Sequence, residues 1–103
     1  MKELLAALQT NMQHAYRKSV DADTTLNELQ KSGKGKFTAI FGDESPFRTR
    51  NKRFMPYLEE IADDIEQLQQ SPDLAESLLP AIVKRLELLL ATLSKFKGSL
   101  TND

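Results

Sequence analysis

The spacing of apolar residues between Phe47 and Leu68 is the feature that most constrains the fold of this chain. These residues recur alternately three and four positions apart, which places their side chains on one stripe of an α-helix. The stripe consists of Phe47, Phe54, Leu58, Ile61, Ile65 and Leu68, with Asn51 interrupting it. Such a stripe has to be covered by other elements, so the sequence predicts a helix that packs in a bundle.

The start of this helix is predicted at Ser45. Serine is a favoured N-cap residue, and the following Pro46 has a fixed φ and no N–H group, which suits the first helical position. Pro56 then falls inside the helix, where proline removes a hydrogen bond and clashes with the preceding turn. Because Phe54 and Leu58 stay in phase across Pro56, we predict one helix with a kink. The alternative is a separate short helix from Arg48 to Met55, followed by a long helix that begins at Pro56.

A first helix is predicted from Met1 to near Ser32. Small and apolar residues repeat along it in steps of three and four, and the narrow seam that they form has small residues at its middle. The seam consists of Met1, Leu5, Leu8, Met12, Ala15, Ser19, Ala22, Leu26 and Leu29. The lysine- and glycine-rich stretch 31–36 ends this helix in a polar link.

A short apolar island and a last helix complete the predicted elements. The island, Phe37, Ile40 and Phe41, is too brief for a stable element, so its aromatic rings are predicted to close one end of the core. The last helix is predicted to follow Ser71 and Pro72, with Ser77 and Pro80 as an alternative second start, and to end at Gly98. Its apolar face consists of Leu79, Ile82, Leu86, Leu89, Leu93 and Phe96.

The predicted fold class is all-α. Three helices with short connections and no strand-like alternation predict an antiparallel three-helix bundle, with the short apolar island between helices one and two. At 103 residues the chain can bury one modest core, so residues 1–103 are expected to form a single domain. The narrow seam of the first helix, bordered by Gln9, Asn11 and Gln13 without strong charge, also permits a homodimer.

Charge is divided unevenly along the chain, although the formal net charge is only −1. Residues 1–53 carry ten Lys/Arg against six Asp/Glu, and residues 54–103 carry four against nine. This balance argues against tight sequence-independent binding of nucleic acid by the whole domain, because that affinity comes mostly from cations that neutralise phosphates. We expect weak or no direct nucleic-acid binding.

The absence of cysteine excludes disulfides, thiolate catalysis and Cys-ligated zinc. The N-terminal residues show helical periodicity rather than the continuous apolar core of a signal peptide, and no apolar run approaches the length of a membrane span. The expected location is therefore the cytoplasm, without membrane contact.

The ionisable residues form no catalytic pattern. His14 is the only histidine, no local spacing supplies it with a nucleophile or an orienting carboxylate, and one imidazole cannot anchor a typical zinc site. Glu59 with Asp63, and Glu60 with Asp64, are spaced four apart, and we predict that both pairs lie on solvated helix faces. The chain lacks the Glu-x-x-His motif of di-metal bundles and a calcium-binding loop. We expect no enzymatic activity, no cofactor and no metal ion.

The densest basic cluster is the candidate partner-binding site. It consists of Phe47, Arg48, Arg50, Lys52, Arg53, Phe54 and Tyr57. Positive charge in the first turns of a helix opposes the macrodipole, so helix stability alone does not select this arrangement. Arginine grips carboxylates and phosphates bidentately and aromatic rings cover apolar groups, so the cluster suits an acidic peptide with a hydrophobic residue, or a short single strand. The alternative is that these residues solvate a loop and pair with Asp43 and Glu44.

A family resemblance rests on residues 36–68 and on the later segment 81–93. The positions that carry it are Phe37, Ile40, Phe41, Phe54, Tyr57, Leu58 and Glu60. They resemble the N-terminal helical domain of the primosomal replication protein PriC family. The chain departs from that family in a longer segment between Phe41 and Phe54 and in lacking the basic C-terminal half that contacts single-stranded DNA, so DNA binding is not carried over.

The resemblance implies a non-enzymatic bundle that helps to reload the replicative helicase at stalled forks and contacts the helicase and single-strand-binding protein. We therefore predict a protein–protein interaction adaptor whose partner offers an acidic segment. The alternative is a small helical regulator or chaperone that binds a partner helix through an incomplete seam.

Overall fold

The chain folds into three helices in a computed structural model, which describes residues 2–33 and 38–101, with side chains as far as residue 98. Helix α1 spans Lys2–Lys31, α2 spans Met55–Gln70 and α3 spans Ala75–Thr101, and a 3₁₀ turn at Pro72–Leu74 precedes α3. Each helix contacts the other two. No strand occurs among the described residues. The predicted all-α three-helix bundle is confirmed, and the up-down-up order of helix directions stays a prediction.

Helix α1 agrees with the predicted first helix. Its buried residues are Leu8, Ala15, Ser19 and Ala22, and Leu5, Met12 and Leu26 pack against the core. Because three of the four buried residues are small, the neighbouring helices can approach α1 closely. After α1, Gly33 adopts a φ of 72° and its N–H donates to the Gln30 carbonyl at 3.1 Å. Glycine takes this left-handed conformation without strain, which ends the helix.

Helix α2 begins at Met55, so the prediction of a helix start at Ser45 is wrong. The residues before Met55 form an irregular loop, and neither a kinked continuous helix nor a short preceding helix is present there. The alternative start at Pro56 agrees with the structure to within one residue. Pro56 lies in the first turn of α2, where its missing N–H removes no intrahelical hydrogen bond.

The N-terminus of α2 is capped by a side chain of α1. The first N–H groups of any helix lack intrahelical acceptors, and the residue at the N-cap position here, Phe54, has no side-chain oxygen. Asp23 supplies both acceptors: its Oδ1 accepts the Phe54 N–H at 2.7 Å and its Oδ2 accepts the Met55 N–H at 3.0 Å. The negative charge of the carboxylate also interacts favourably with the positive end of the α2 dipole.

Aromatic rings of the loop before α2 lie in the core. Phe41 stacks on Phe47 with ring centroids 5.0 Å apart, and Tyr57 meets both rings edge-on at 4.9 and 5.0 Å. Phe54 contacts Phe96 of α3 with centroids 5.6 Å apart. Phe41 of the apolar island is therefore a core residue. Phe37 of the island, Met1 of the first seam and residues 34–36 of the polar link lie outside the described residues.

Helix α3 carries the predicted apolar face, with Ile82, Leu86, Leu89 and Leu93 buried. It neither restarts at Pro80 nor ends at Gly98, contrary to prediction. Pro80 lies in the second turn, where it removes only one helical hydrogen bond, and an interior glycine costs a helix only about 1 kcal/mol relative to alanine. Among the described residues, no helix combines the length and apolarity needed to cross a bilayer.

Candidate partner-binding site

Residues 38–54 form the basic loop, an irregular segment between α1 and α2 that carries most of the predicted site. The Ile40 N–H donates to the Asn51 carbonyl at 2.9 Å, which brings the two arms of the loop together. The Tyr57 hydroxyl lies between these arms. It accepts the N–H groups of Phe41 at 3.3 Å and Asn51 at 2.9 Å, and it donates to the Asn51 carbonyl at 3.1 Å. One buried phenol oxygen thus joins both arms to α2.

Glu60 holds the middle of the basic loop. Its Oε2 accepts the Arg48 N–H at 3.0 Å, and its Oε1 accepts both the N–H and the hydroxyl of Thr49 at 2.7 Å. The Arg85 guanidinium of α3 lies 3.5 Å from Oε2. Glu60 is only 6% exposed, so the predicted solvated position is wrong. The reason is that the loop folds back over this side of α2, which helical periodicity alone does not reveal.

Asp64 is also buried, at 4% exposure, and the predicted solvated position is wrong for it too. It accepts hydrogen bonds from Arg48 Nη2 at 3.2 Å and from Arg85 Nη1 at 2.5 Å. Arg85 Nε donates in addition to the Pro46 carbonyl at 2.9 Å. Two carboxylates and two guanidinium groups therefore link the loop, α2 and α3. The other two carboxylates of the predicted pairs, Glu59 and Asp63, are exposed as expected.

Arg85 is the anchor that the sequence interpretation missed. It lies in the three-and-four phase of the buried residues Ile82 and Leu89, where an unpaired cation would be costly. A charged residue within an apolar phase predicts a buried partner of opposite charge. Glu60 and Asp64 occupy the corresponding phase of α2, beside Tyr57 and Leu68, so this signal was present in the sequence.

The hydrogen bonds of the loop determine the pKa of Glu60. Burial alone raises the pKa of this carboxyl, but the hydrogen bonds from the Thr49 hydroxyl and from the N–H groups of Arg48 and Thr49, together with the Arg48 charge, outweigh it. The pKa therefore lies below its ordinary value. Because the pKa is lower in the folded than in the unfolded chain, ionised Glu60 stabilises the fold above the ordinary glutamate pKa of about 4.3. That contribution is lost as the pH falls through the folded pKa.

We expect the Glu60→Gln variant to be less stable than the wild type at pH 7 and to show a flatter decline in acid. The amide cannot ionise, so it lacks the pH-dependent part of the Glu60 contribution below about pH 5. Urea unfolding at a series of pH values measures how the free energy of unfolding of each protein changes with pH. Glu66→Gln, exposed on the same helix, is the control and should keep the wild-type stability at pH 7. Parallel curves for the wild type and Glu60→Gln would contradict the assignment.

The structure divides the predicted site residues into two groups. The rings of Phe47, Phe54 and Tyr57 are buried in the core, so they offer no surface to a partner while the loop is folded. The basic residues stay at the surface: Arg48, Arg50 and Lys52 are exposed, and Arg53 is partly exposed. The predicted interleaving of cations and aromatics therefore becomes a layered arrangement, with aromatic rings inside and basic groups outside.

Arg50 is held in place by the loop itself. Its Nε donates to Asp43 Oδ1 at 3.1 Å, and its Nη1 donates to the carbonyls of Phe47 at 2.8 Å and Thr49 at 3.0 Å. The alternative interpretation, in which the basic residues pair with nearby acids, thus applies to Arg50 with Asp43. Asp43 is itself exposed, so the pair lies at the surface.

Arg53 connects the loop to α1. Its Nε donates to Asn27 Oδ1 at 2.9 Å and its Nη2 donates to Gln30 Oε1 at 2.6 Å. A shallow concavity of about 450 Å³ is lined by Gln30, Arg50, Asn51, Lys52 and Arg53. Three cations and two amides, with no carboxylate among the lining residues, make a surface whose chemistry favours a carboxylate or another anion.

No protein-family model, curated protein or solved structure matches this chain. The resemblance to the PriC family is thus neither supported nor refuted by these comparisons.

His14 is exposed on α1. Within residues 2–33 and 38–101, no three histidine, aspartate or glutamate side chains are grouped so that they could hold a metal ion.

Proposed function

We propose that this chain is a non-enzymatic protein–protein interaction domain whose basic loop binds an acidic segment of a partner. The observation that supports the proposal is the anchoring of an irregular loop by buried or half-buried side chains of all three helices. Asp23 of α1, Glu60 and Asp64 of α2, and Arg85 of α3 all bind loop groups. A surface held in its binding conformation loses less entropy when a partner docks.

The resemblance to the PriC family names the partner class. We propose a cytoplasmic accessory role in DNA replication restart, in which the basic loop contacts the replicative helicase or single-strand-binding protein. Opposite charge attracts an acidic segment to the concavity and orients it there. Direct nucleic-acid binding is not part of the proposal, because the carboxylates of α2 and the net charge of −1 offset the cations of the loop.

Lys52→Glu is the sharpest test of this site. Among the described residues the Lys52 side chain makes no hydrogen bond or ion pair, so the change reverses one charge without removing a loop contact. Arg50→Glu with Arg53→Glu would also remove the hydrogen bonds that hold the loop. We expect Lys52→Glu to weaken binding to immobilised single-strand-binding protein or helicase about tenfold, a loss of about 1.4 kcal/mol.

The matched control is Lys95→Glu, which makes the same charge change at an exposed position on α3. Biolayer interferometry at low and high salt measures both variants, and the wild-type affinity should fall as salt rises. An equal loss of affinity in both variants would show that only the net charge of the protein matters. That result would contradict the assignment of the basic loop as the binding site. A wild-type protein that binds neither partner would refute the replication-restart role. Tight binding to a single-stranded oligonucleotide that Lys52→Glu abolishes would favour a nucleic-acid surface instead.

A second candidate function is a small helical regulator or chaperone that binds a partner helix. It is favoured by an open groove of about 460 Å³ along α3, lined by Ala75, Glu76, Leu79, Pro80, Val83, Lys84 and Glu87. Four of these residues are apolar, which suits the apolar face of a helix. A partner whose binding is insensitive to salt and to Lys52→Glu would favour this second function.

A further inference from the structure

A second open groove runs between α1 and α2. It has a volume of about 460 Å³ and is lined by Met12, Gln13, Tyr16, Arg17, Leu58, Glu59 and Ala62. Tyr16 is 50% exposed, although an aromatic side chain stabilises a fold mainly when it is buried. Val20, one turn further along the same face of α1, is also an exposed large hydrophobic residue. This face of α1 thus has unburied apolar surface.

The two walls of this groove carry opposite charge. On the α1 wall the charged lining residue is Arg17, and on the α2 wall it is Glu59. Both side chains are exposed, and α2 contains no lysine or arginine that would neutralise Glu59 from its own helix. Among the described residues no ion pair joins Arg17 to Glu59, so both charges are available to a partner.

We propose that this groove is the interface of a homodimer, in which a two-fold axis sets Arg17 of each copy against the partner's Glu59. A two-fold interface brings one surface patch against itself, so the patch has to be complementary to its own rotated copy. A groove with one cationic and one anionic wall meets this condition, whereas a patch of a single sign would repel its copy. The exposed ring of Tyr16 then covers the apolar groove of the partner.

A second copy is favoured over a foreign helix by the number of features that have to match. A helix from another protein would need an apolar strip with an acidic group placed against Arg17 and a basic group placed against Glu59. Helices α1 and α2 of a second copy provide both groups together with the apolar strip. None of the groove residues belongs to the basic loop, so self-association leaves the proposed partner-binding site open.

Charge reversal tests the proposed pairing directly. Sedimentation equilibrium of the wild type from micromolar to millimolar concentration should show an average mass that rises from monomer to dimer. Arg17→Glu or Glu59→Arg alone places like charges together at both ends of the interface, and each should weaken the dimer about tenfold or more. A mixture of the two single variants should restore it. One variant then carries a glutamate at both pairing positions and the other an arginine at both, so opposite charges meet at each end.

Exposed positions outside the groove provide matched controls. Lys31→Glu on α1 and Glu76→Arg on α3 make the same charge changes and should leave the dimer unchanged. Tyr16→Ser removes the exposed ring without altering either charge and should also weaken the dimer. Circular dichroism confirms that each variant is folded. A wild type that stays monomeric at every concentration, or a mixture of folded single variants that fails to restore the dimer, would overturn the proposal.

Discussion

Arg85→Ala is expected to lower the free energy of unfolding by about 3–5 kcal/mol. The Arg85 side chain is 12% exposed, and it binds Asp64 at 2.5 Å, the Pro46 carbonyl at 2.9 Å and Glu60 at 3.5 Å. Its removal leaves two buried carboxylates with Arg48 as the remaining cation, whose side chain is 64% exposed. The expected loss comes mainly from leaving buried charge unpaired rather than from the net value of the ion pairs.

Urea unfolding followed by the helical circular dichroism signal measures this loss. Lys84→Ala, at the exposed neighbouring position on α3, is the control and should change the stability by less than about 0.5 kcal/mol. The double variant Arg85→Ala with Asp64→Ala should lose less than the sum of the single losses, because the two side chains interact directly. A loss below about 1 kcal/mol for Arg85→Ala would show that water solvates the Glu60 and Asp64 carboxylates once Arg85 is removed. The ion pairs of Arg85 would then not be needed to hold the loop.

The second large effect is expected at Tyr57. Tyr57→Ala should lower the free energy of unfolding by about 3–5 kcal/mol, because the ring is fully buried between Phe41 and Phe47 and its loss leaves a cavity. Tyr57→Phe keeps the ring and removes only the hydroxyl. It should cost about 1–3 kcal/mol, because the N–H groups of Phe41 and Asn51 lose their shared acceptor.

Hydrogen exchange distinguishes the hydroxyl from the ring. In Tyr57→Phe the amides of Phe41 and Asn51 should exchange faster while the amides in the middle of α1 keep their protection. Tyr16→Phe removes an exposed hydroxyl on α1 and, at a micromolar concentration where the protein is monomeric, should leave both stability and exchange unchanged. Unchanged exchange at Phe41 and Asn51 in Tyr57→Phe would mean that the phenol does not hold the two arms of the loop.

The helices are predictable from the sequence because their signals are local. Apolar residues at spacings of three and four mark the buried faces of α1 and α3, and Gly33 marks the end of α1 at a position that needs a positive φ. The same local rule fails at Ser45. A serine followed by proline is a good helix start, but the chain there is drawn into hydrogen bonds with α2 and α3 instead, so the helix begins only at Met55.

The sequence predicts which basic residues belong to the candidate site, but it does not predict which of the site's side chains are buried. The density of basic residues between Arg48 and Arg53 identifies them from the sequence, and they lie at the surface. The same reasoning places Tyr57 on that surface, yet its ring is in the core. It places Glu60 in solvent, yet Glu60 is buried. Both errors have one cause, since the loop covers the side of α2 that an isolated helix would expose.

Local patterns in the chain establish that this protein is helical and which faces of its helices are apolar, because helical periodicity relates residues that are only three or four positions apart. Tertiary packing decides between the two starts that the sequence allows for α2, Ser45 and Pro56, and it selects the partners of the buried charged groups. Asp23 caps Phe54, and Arg85 pairs with Asp64, across long separations along the chain. Hydrogen bonds and ion pairs of this kind form when the helices and the loop come together, so no local pattern determines their partners.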